Sequence, residues 1–369
     1  MSKALWKALR TGNVKALAKA IADAELEARD ASGLTPVAFA ALSGDSASLA
    51  LLLEAGADPN AALDYGVRAL TLSVRSPACC ALLCERADVR AVSDAGVSAL
   101  HRAAFWNVPA SIRALIARGA DVGARDVHGR SVLGLAVERA SAEAIEPLLD
   151  AGADPNALEP VPIHALFPFE AFVSHRVTCV VAPLALACRP ARREARELLV
   201  RRGARVDEVG PPNVSPLMIA AAHGDHEAAL DLLARGADLA RIAGDGPPGT
   251  WQGTTAAWSA IHHGHLELAS ALLDASAPLA GQGMRPLLHA AASRGALALV
   301  ARLLDRGADP NALDDASYDG PRAIEAAARH GHVEVVGALR AAGAEPGDAL
   351  HIAQREGHSA CVAALDPAS

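Results

Sequence analysis

Fourteen histidines and six cysteines in a chain of 369 residues raise metal binding first, because imidazole and thiolate are the usual zinc ligands. Their spacing argues against it. His223, His263 and His330 occupy equivalent places in a repeating pattern. Repeats of that kind stack about 10 Å apart, whereas a shared ion needs each nitrogen about 2.1 Å away. His262, His263 and His265 are close together, but Gly264 interrupts them and no Cys or carboxylate completes a set. Cys79, Cys80, Cys84, Cys179, Cys188 and Cys361 show no paired spacing and most fall where a helix core is expected. Buried, reduced thiols in a cytoplasmic setting follow. The chain has no His-Glu-x-x-His, no Gly-x-Ser-x-Gly and no Gly-rich phosphate loop with Lys. The expectation is therefore no catalysis, no metal and no cofactor.

The elements that would position any site are set by a repeated phrase. Gly-Ala-Asp-Pro-Asn-Ala occurs at 56–61, 152–157 and 307–312, with near-copies beginning at Gly119, Gly203, Gly236 and Gly343. Each follows a Leu-rich stretch. Self-similarity at 20–50 residues means a stacked array. In the fullest copy, 30–61, Thr35-Pro36 opens a short apolar helix and Gly44 ends it. A second helix runs over 46–54, and Gly56 ends that one before an extended loop. The glycine ending the first helix, or its equivalent, falls at Gly12, Gly44, Pro77, Asn107, Ala140, Ala191, Gly224, Gly264, Gly295, Gly331 and Gly357. That spacing predicts about eleven repeats near 33 residues each.

At Thr35-Pro36-Val37, Ser98-Ala99-Leu100-His101, Ser215-Pro216-Leu217, Leu288-His289 and Leu350-His351 the chain resembles the ankyrin repeat family, whose signature is Thr-Pro-Leu-His-x-Ala. Gly-His steps at Gly264-His265, Gly331-His332 and Gly357-His358 match as well. The resemblance implies an all-α solenoid of stacked helix-turn-helix repeats with protruding finger loops. It implies partners bound along the finger tips and the concave helix face. His101, His289 and His351 are expected to hydrogen-bond backbone between repeats. The expected organisation is one array over 1–366, with capping repeats at 1–29 and 347–366. The repeat over 65–92 departs from the pattern: Pro77 and Arg86 replace its two glycines, and its outer helix reads as shortened.

A formal charge of −8 argues against nucleic-acid binding. Residues 1–17 lack a signal-peptide core, and the longest uncharged apolar stretch, 177–188, is too short to span a bilayer. Four Lys against thirty Arg reads as a bacterial chain from a GC-rich genome.

Function in an array is expected where the period is broken on the surface. About 18 extra residues fall within 157–181, seven near 244–253 and three near 314–320. Large aromatics are scarce, yet Phe167, Phe169, Phe172, Trp251 and Tyr318 stand in these segments. They read as interface anchors; for the three phenylalanines a plug that fills the gap is the alternative. Phe105 and Trp106 end a first helix where the groove is expected, with Phe105 favoured for packing and Trp106 for contact. Arg192, Arg193 and Arg196 lie on a helix after the long insertion. They read either as a solvated face or as a basic patch suited to an acidic partner. The expected function is a non-catalytic module, monomeric when free, that binds a folded protein as scaffold, inhibitor or immunity-type protein. Alternatives are a secreted bacterial effector that binds host proteins, and an enzyme with a site in 157–181.

Overall fold

The structure, a computed structural model, describes residues 3–162, 166, 178–244, 255–275, 285–313 and 321–366. Its contacts divide the chain into two compact units. Unit 1 holds 1–159 and 194–203; unit 2 holds 160–193 and 204–369.

Helices follow one another in antiparallel-type pairs. In unit 1 these are α1 (Lys3–Thr11) and α2 (Val14–Ile21), α3 (Pro36–Ser43) and α4 (Ser46–Glu54), and α5 (Ala69–Ser73) and α6 (Pro77–Cys84). Then come α7 (Ala99–Phe105) and α8 (Pro109–Ala117), and α9 (Val132–Glu138) and α10 (Ala142–Asp150). Next, α11 (Pro183–Ala187) belongs to unit 2, while nearly all of α12 (Arg193–Arg201) belongs to unit 1. Unit 2 continues with α13 (Pro216–Ala222) and α14 (His226–Ala234), α15 (Ala256–His262) and α16 (Leu266–Ala275), and α17 (Arg285–Ser293) and α18 (Leu297–Asp305). It ends with α19 (Ala323–Arg329) and α20 (Val333–Ala341), and α21 (Ala349–Glu356) and α22 (Ser359–Leu365).

The local chemistry explains each boundary. Thr35 accepts from the Ala38 N–H and Pro36 takes the first helical position, where its missing donor costs nothing. Ser98, Ser131, Ser215 and Thr255 cap first helices the same way. Ten of the eleven predicted glycine positions are left-handed, even where the residue is not glycine: Asn107 has φ 53°, Ala140 59° and Ala191 61°. The geometry of the turn, not the residue type, sets that requirement.

The repeated phrase resolves into separate tasks. Its glycine is left-handed, with φ 90° at Gly56, 92° at Gly152 and 87° at Gly307. The next alanine is buried and donates to the leucine five residues back, as Ala57 to Leu52, Ala153 to Leu148 and Ala308 to Leu303. This is the Schellman ending of a helix. The aspartate turns the chain by accepting from the N–H two residues on: Asp58 from Asn60, Asp154 from Asn156, Asp309 from Asn311. The asparagine ties one phrase to the next. Asn311 donates to Gly343 O at 3.0 Å and accepts from Glu345 N at 2.7 Å. Antiparallel bridges at Val92–Ser98, Arg125–Ser131 and Leu313–Arg322 close fingers beyond it.

One repeat cannot bury its own face, so the core forms between neighbours. Alanines on first helices let them approach closely, and leucines on second helices, such as Leu49, Leu52, Leu115 and Leu148, fill the space beside them. In unit 1, α3, α5, α7 and α9 pack in succession; in unit 2, α11, α13, α15, α17, α19 and α21 do.

The irregular repeat differs from its expectation. Pro77 is not the left-handed cap; it opens α6 behind Ser76, and α5 ends at a right-handed Val74. The shortened helix is the first, α5, with five residues, while α6 keeps eight. Arg86, where a glycine was expected, donates to Leu53 O at 2.8 Å and so satisfies the carbonyl end of α4 from the neighbouring repeat. Two short strands, β1 (Glu159–Pro162) and β2 (Thr178–Val181), flank the long insertion and pair with each other. Within unit 2, Val180 also exchanges hydrogen bonds with Gly210 and Pro211.

Candidate partner-binding surfaces

In unit 1 the ends of successive first helices carry two adjoining rings held between two cations. The Arg75 guanidinium lies 4.8 Å from the Trp106 ring centre. Trp106 meets Phe105 edge to face at 5.3 Å, and Arg139 lies 4.1 Å above Phe105. Such contacts hold a ring at about 0.5–1 kcal/mol when exposed. Phe105 is half-buried, whereas Trp106 keeps 43% of its surface exposed. Phe105 is therefore the more enclosed of the two rings and Trp106 the more exposed.

The arginines do not form one patch. Arg196 is 2% exposed, because the buried face of α12 runs through Ala195, Arg196, Leu198 and Leu199. Arg193 pairs with Glu227 at 2.8 Å, and half-buried Arg192 donates to Leu186 O. Arg202 pairs with Asp150 at 2.9 Å and with Glu146. The helical register, which the sequence did not settle, turns Arg196 into the core and engages the others locally. Phe167, Phe169, Phe172, Trp251 and Tyr318 lie outside the described residues.

Unit 2 places a different set at the same register. The last two positions before the left-handed caps are held by His223, by His262 and His263, by Arg294, and by Arg329 and His330. His262 stacks on Trp258 at 4.5 Å, and Arg294 reaches the carbonyl of His262. Burial lowers the pKa of His223 and His330, and neighbouring cations add to the shift. His223 also donates to Leu166 O at 2.8 Å, which pulls the other way. Among the described residues no group of three or more His, Cys, Asp or Glu is placed to hold a metal ion. All six cysteines are buried and unbridged. Burial pushes the Cys179 thiol up to about 12, the opposite of an activated nucleophile.

The Gly-His steps have a geometric basis that the sequence did not disclose. The histidine just before each of these second helices reaches back to the first helix of the preceding repeat. His265 donates to Ala222 O at 3.1 Å, His332 to Ser293 O at 3.0 Å and His358 to Arg329 O at 3.0 Å. Each ring fills the space that a Cβ would need on Gly224, Gly295 or Gly331. His101 instead closes a capping box with Ser98, while the backbone of Arg130 and Ala124 in the next finger supports its protonated form against burial.

A second residue was missed. Glu159 is 2% exposed and accepts from the Ser131 N–H at 2.9 Å and from the Ser131 hydroxyl. Burial raises its pKa; the Ser131 hydrogen bonds and Arg125 oppose that. Gly134 inside α9 makes room for it, since a Cβ there would stand 2.5 Å from the Glu159 carboxyl carbon. A glycine within a helix was the available signal. A concavity of about 610 Å³ lies by the fingers of unit 1, lined by Arg90, Val92, Ile116, Asp121 and Val122 among others.

Left-handed caps, paired helices and closed fingers define a stacked helical-repeat protein whose helix ends present side chains outward. The chain belongs to the ankyrin repeat family: the family model for ankyrin repeats matches in three copies, over residues 67–159, 217–314 and 288–366. It is similar to the mouse (Mus musculus) "B-cell lymphoma 3 protein homolog", 35% identical over 131 residues, which are 33% of this chain and 29% of that protein. It is also similar to the rice (Oryza sativa subsp. japonica) "Probable E3 ubiquitin-protein ligase XBOS33", 38% identical over 119 residues, 29% of this chain and 22% of that protein. The chain spans less than a third of the length of these curated relatives. Among solved structures, the ankyrin repeat domain of Bcl-3 superposes with a TM-score of 0.51 at 28% identity, over 63% of this chain and 98% of that one. No helix among the described residues is long and apolar enough to cross a membrane.

Proposed function

We propose that this chain is a non-catalytic protein-binding module that grips a folded partner through the ends of its first helices and its fingers, as scaffold, inhibitor or immunity-type protein. Ankyrin repeat domains generally mediate protein–protein interaction, and family membership supports that class. The observation that carries the reading is Trp106: a large ring held at a helix end by Arg75 and Phe105, yet 43% exposed. A rigid, half-exposed aromatic suits an interface anchor, because little ordering is lost on binding. The rice relative's ligase name is matched over 22% of that protein, so no ligase activity is transferred.

The test is affinity capture from the native host with the wild-type chain, Trp106→Ala and Leu230→Ala, a control at an exposed position of α14. A partner retained by wild type and Leu230→Ala, but released at least about tenfold more readily by Trp106→Ala, supports the reading. Equal retention by all three would move the interface away from this helix end.

A further inference from the structure

The chain is acidic overall, at −8, yet one register of unit 2 gathers two arginines and four histidines and no carboxylate. Arg294, Arg329, His262 and His330 are exposed there; His223 and His263 are half-buried beside them. Across α13, α15, α17 and α19 no Asp or Glu occupies the last two positions before the cap. Glu356 does so at the end of α21, where Arg355 pairs with it at 2.7 Å. The groups form one electrostatic neighbourhood: His263 acts on His223 and His265, Arg294 on His265 and His330, and Arg329 on His330. A sequence-wide charge conceals this segregation, and the arginines of α12 do not supply it.

The spacing selects an occupant. The first helices α13, α15, α17 and α19 pack in succession, at the usual interaxial distance of about 8–10 Å. An extended or polyproline-type chain advances about 3.1–3.3 Å per residue, so about three residues span one repeat. In the polyproline form every third side chain also falls on one face. We propose that the stripe His223, His262, His263, Arg294, Arg329 and His330 is a docking track for an extended acidic segment of a protein partner, anchored by carboxylates spaced three residues apart on Arg294 and Arg329, with the histidines lining the track on either side. This rests on the binding-module reading and names the chemistry of one partner segment. A nucleic-acid duplex fits less well: it carries a charge about every 1.7 Å, far denser than one row per repeat, and the −8 chain repels any polyanion at long range.

Fluorescence polarisation on the full chain tests the track. The probes are a labelled peptide with Glu at every third position between Pro and Ala, an isomer with its Glu residues clustered at one end, and a single-stranded oligonucleotide of equal charge. The spaced peptide should bind at least about fivefold tighter than the clustered isomer and tighter than the oligonucleotide. Arg294→Glu and Arg329→Glu should each weaken it about tenfold or more. Arg235→Glu makes the same charge change on the end of α14, where Arg235 pairs with Asp231, and should change binding less than twofold. The milder Arg294→Gln should fall between. Equal binding of the two peptides, preference for the oligonucleotide, or equal loss in Arg235→Glu would overturn the track. Trp106→Ala keeps the two readings apart. If it loses the captured partner while no acidic peptide binds, the binding module stands and the acidic track falls.

Discussion

His332 donates from Nε2 to the carbonyl of Ser293, 3.0 Å away, and its Nδ1 stands 2.5 Å from where a Cβ on Gly295 would be. Two demands therefore meet at Gly295. Its φ of 67° disfavours any side chain, and the ring of the next repeat occupies the remaining space. The same arrangement joins His265 to Gly224 and His358 to Gly331, so neighbouring repeats in unit 2 share a polar contact at the helix ends in addition to their apolar packing.

Gly295→Ala should cost more than Gly307→Ala. Both are left-handed, but nothing lies within 4 Å of a Cβ on Gly307. The left-handed strain alone is about 1–2 kcal/mol. Urea denaturation of the two variants should show the larger loss at Gly295, with His332→Ala recovering part of it in the double variant. Equal losses would mean that the ring moves aside freely.

The two tryptophans of unit 1 should respond in opposite ways. Trp6 is 5% exposed and packs edge to face on Phe39 at 5.8 Å. Truncating a buried Trp costs about 3–5 kcal/mol, and Trp6→Ala should abolish amide protection in α1 and α2. Trp106→Ala loses an exposed cation–π contact of about 0.5–1 kcal/mol and should leave α7 protected. A loss above about 2 kcal/mol at Trp106 would make it a packing residue.

Glu159 gives a pH test with a defined sign. Burial raises its folded pKa above the ordinary carboxyl value of about 4.3. Between the two values the folded state holds more protons than the unfolded, so its contribution to stability falls as pH rises through that window. Glu159→Gln keeps an acceptor for the Ser131 N–H and cannot ionise. Its stability relative to wild type should therefore increase as pH rises above about 4.3. Parallel stability curves for the two proteins would show that Glu159 does not titrate differently on folding.

Much of this architecture is legible from spacing. Counting from glycine to glycine places left-handed caps at Asn107, Ala140 and Ala191, where composition alone suggests none. The phrase Gly-Ala-Asp-Pro-Asn marks its own turn because each residue answers a local backbone demand. The surfaces were less legible, for two physical reasons. Whether Arg196 faces solvent depends on a helical register that one apolar residue more or less would shift. The partner of His332 is 37 to 39 residues away across an irregular repeat, so no local pattern names it. Glu159 looks like a loop carboxylate until Gly134 is placed opposite it.

The repeat over 65–92 should be the weak joint of unit 1. Its first helix, α5, has five residues, and Arg68 at its start supplies no side-chain cap. It ends without a left-handed residue, so the carbonyl-satisfying turn found at the other first-helix ends of unit 1 is missing. Stability in an array is a sum over neighbours, and a short helix contributes less to both of its interfaces. Sub-global opening should start there and release the repeats on its N-terminal side. Hydrogen exchange followed by mass spectrometry should therefore show α1 to α4 exchanging faster than α13 to α16, with α5 among the fastest helices. Arg68→Ser, which supplies a capping hydroxyl, should slow exchange in α5 and in α1 to α4 together. Uniform exchange along the chain, or a slowing in Arg68→Ser confined to α5 alone, would show that the short helix does not limit the opening of its neighbours.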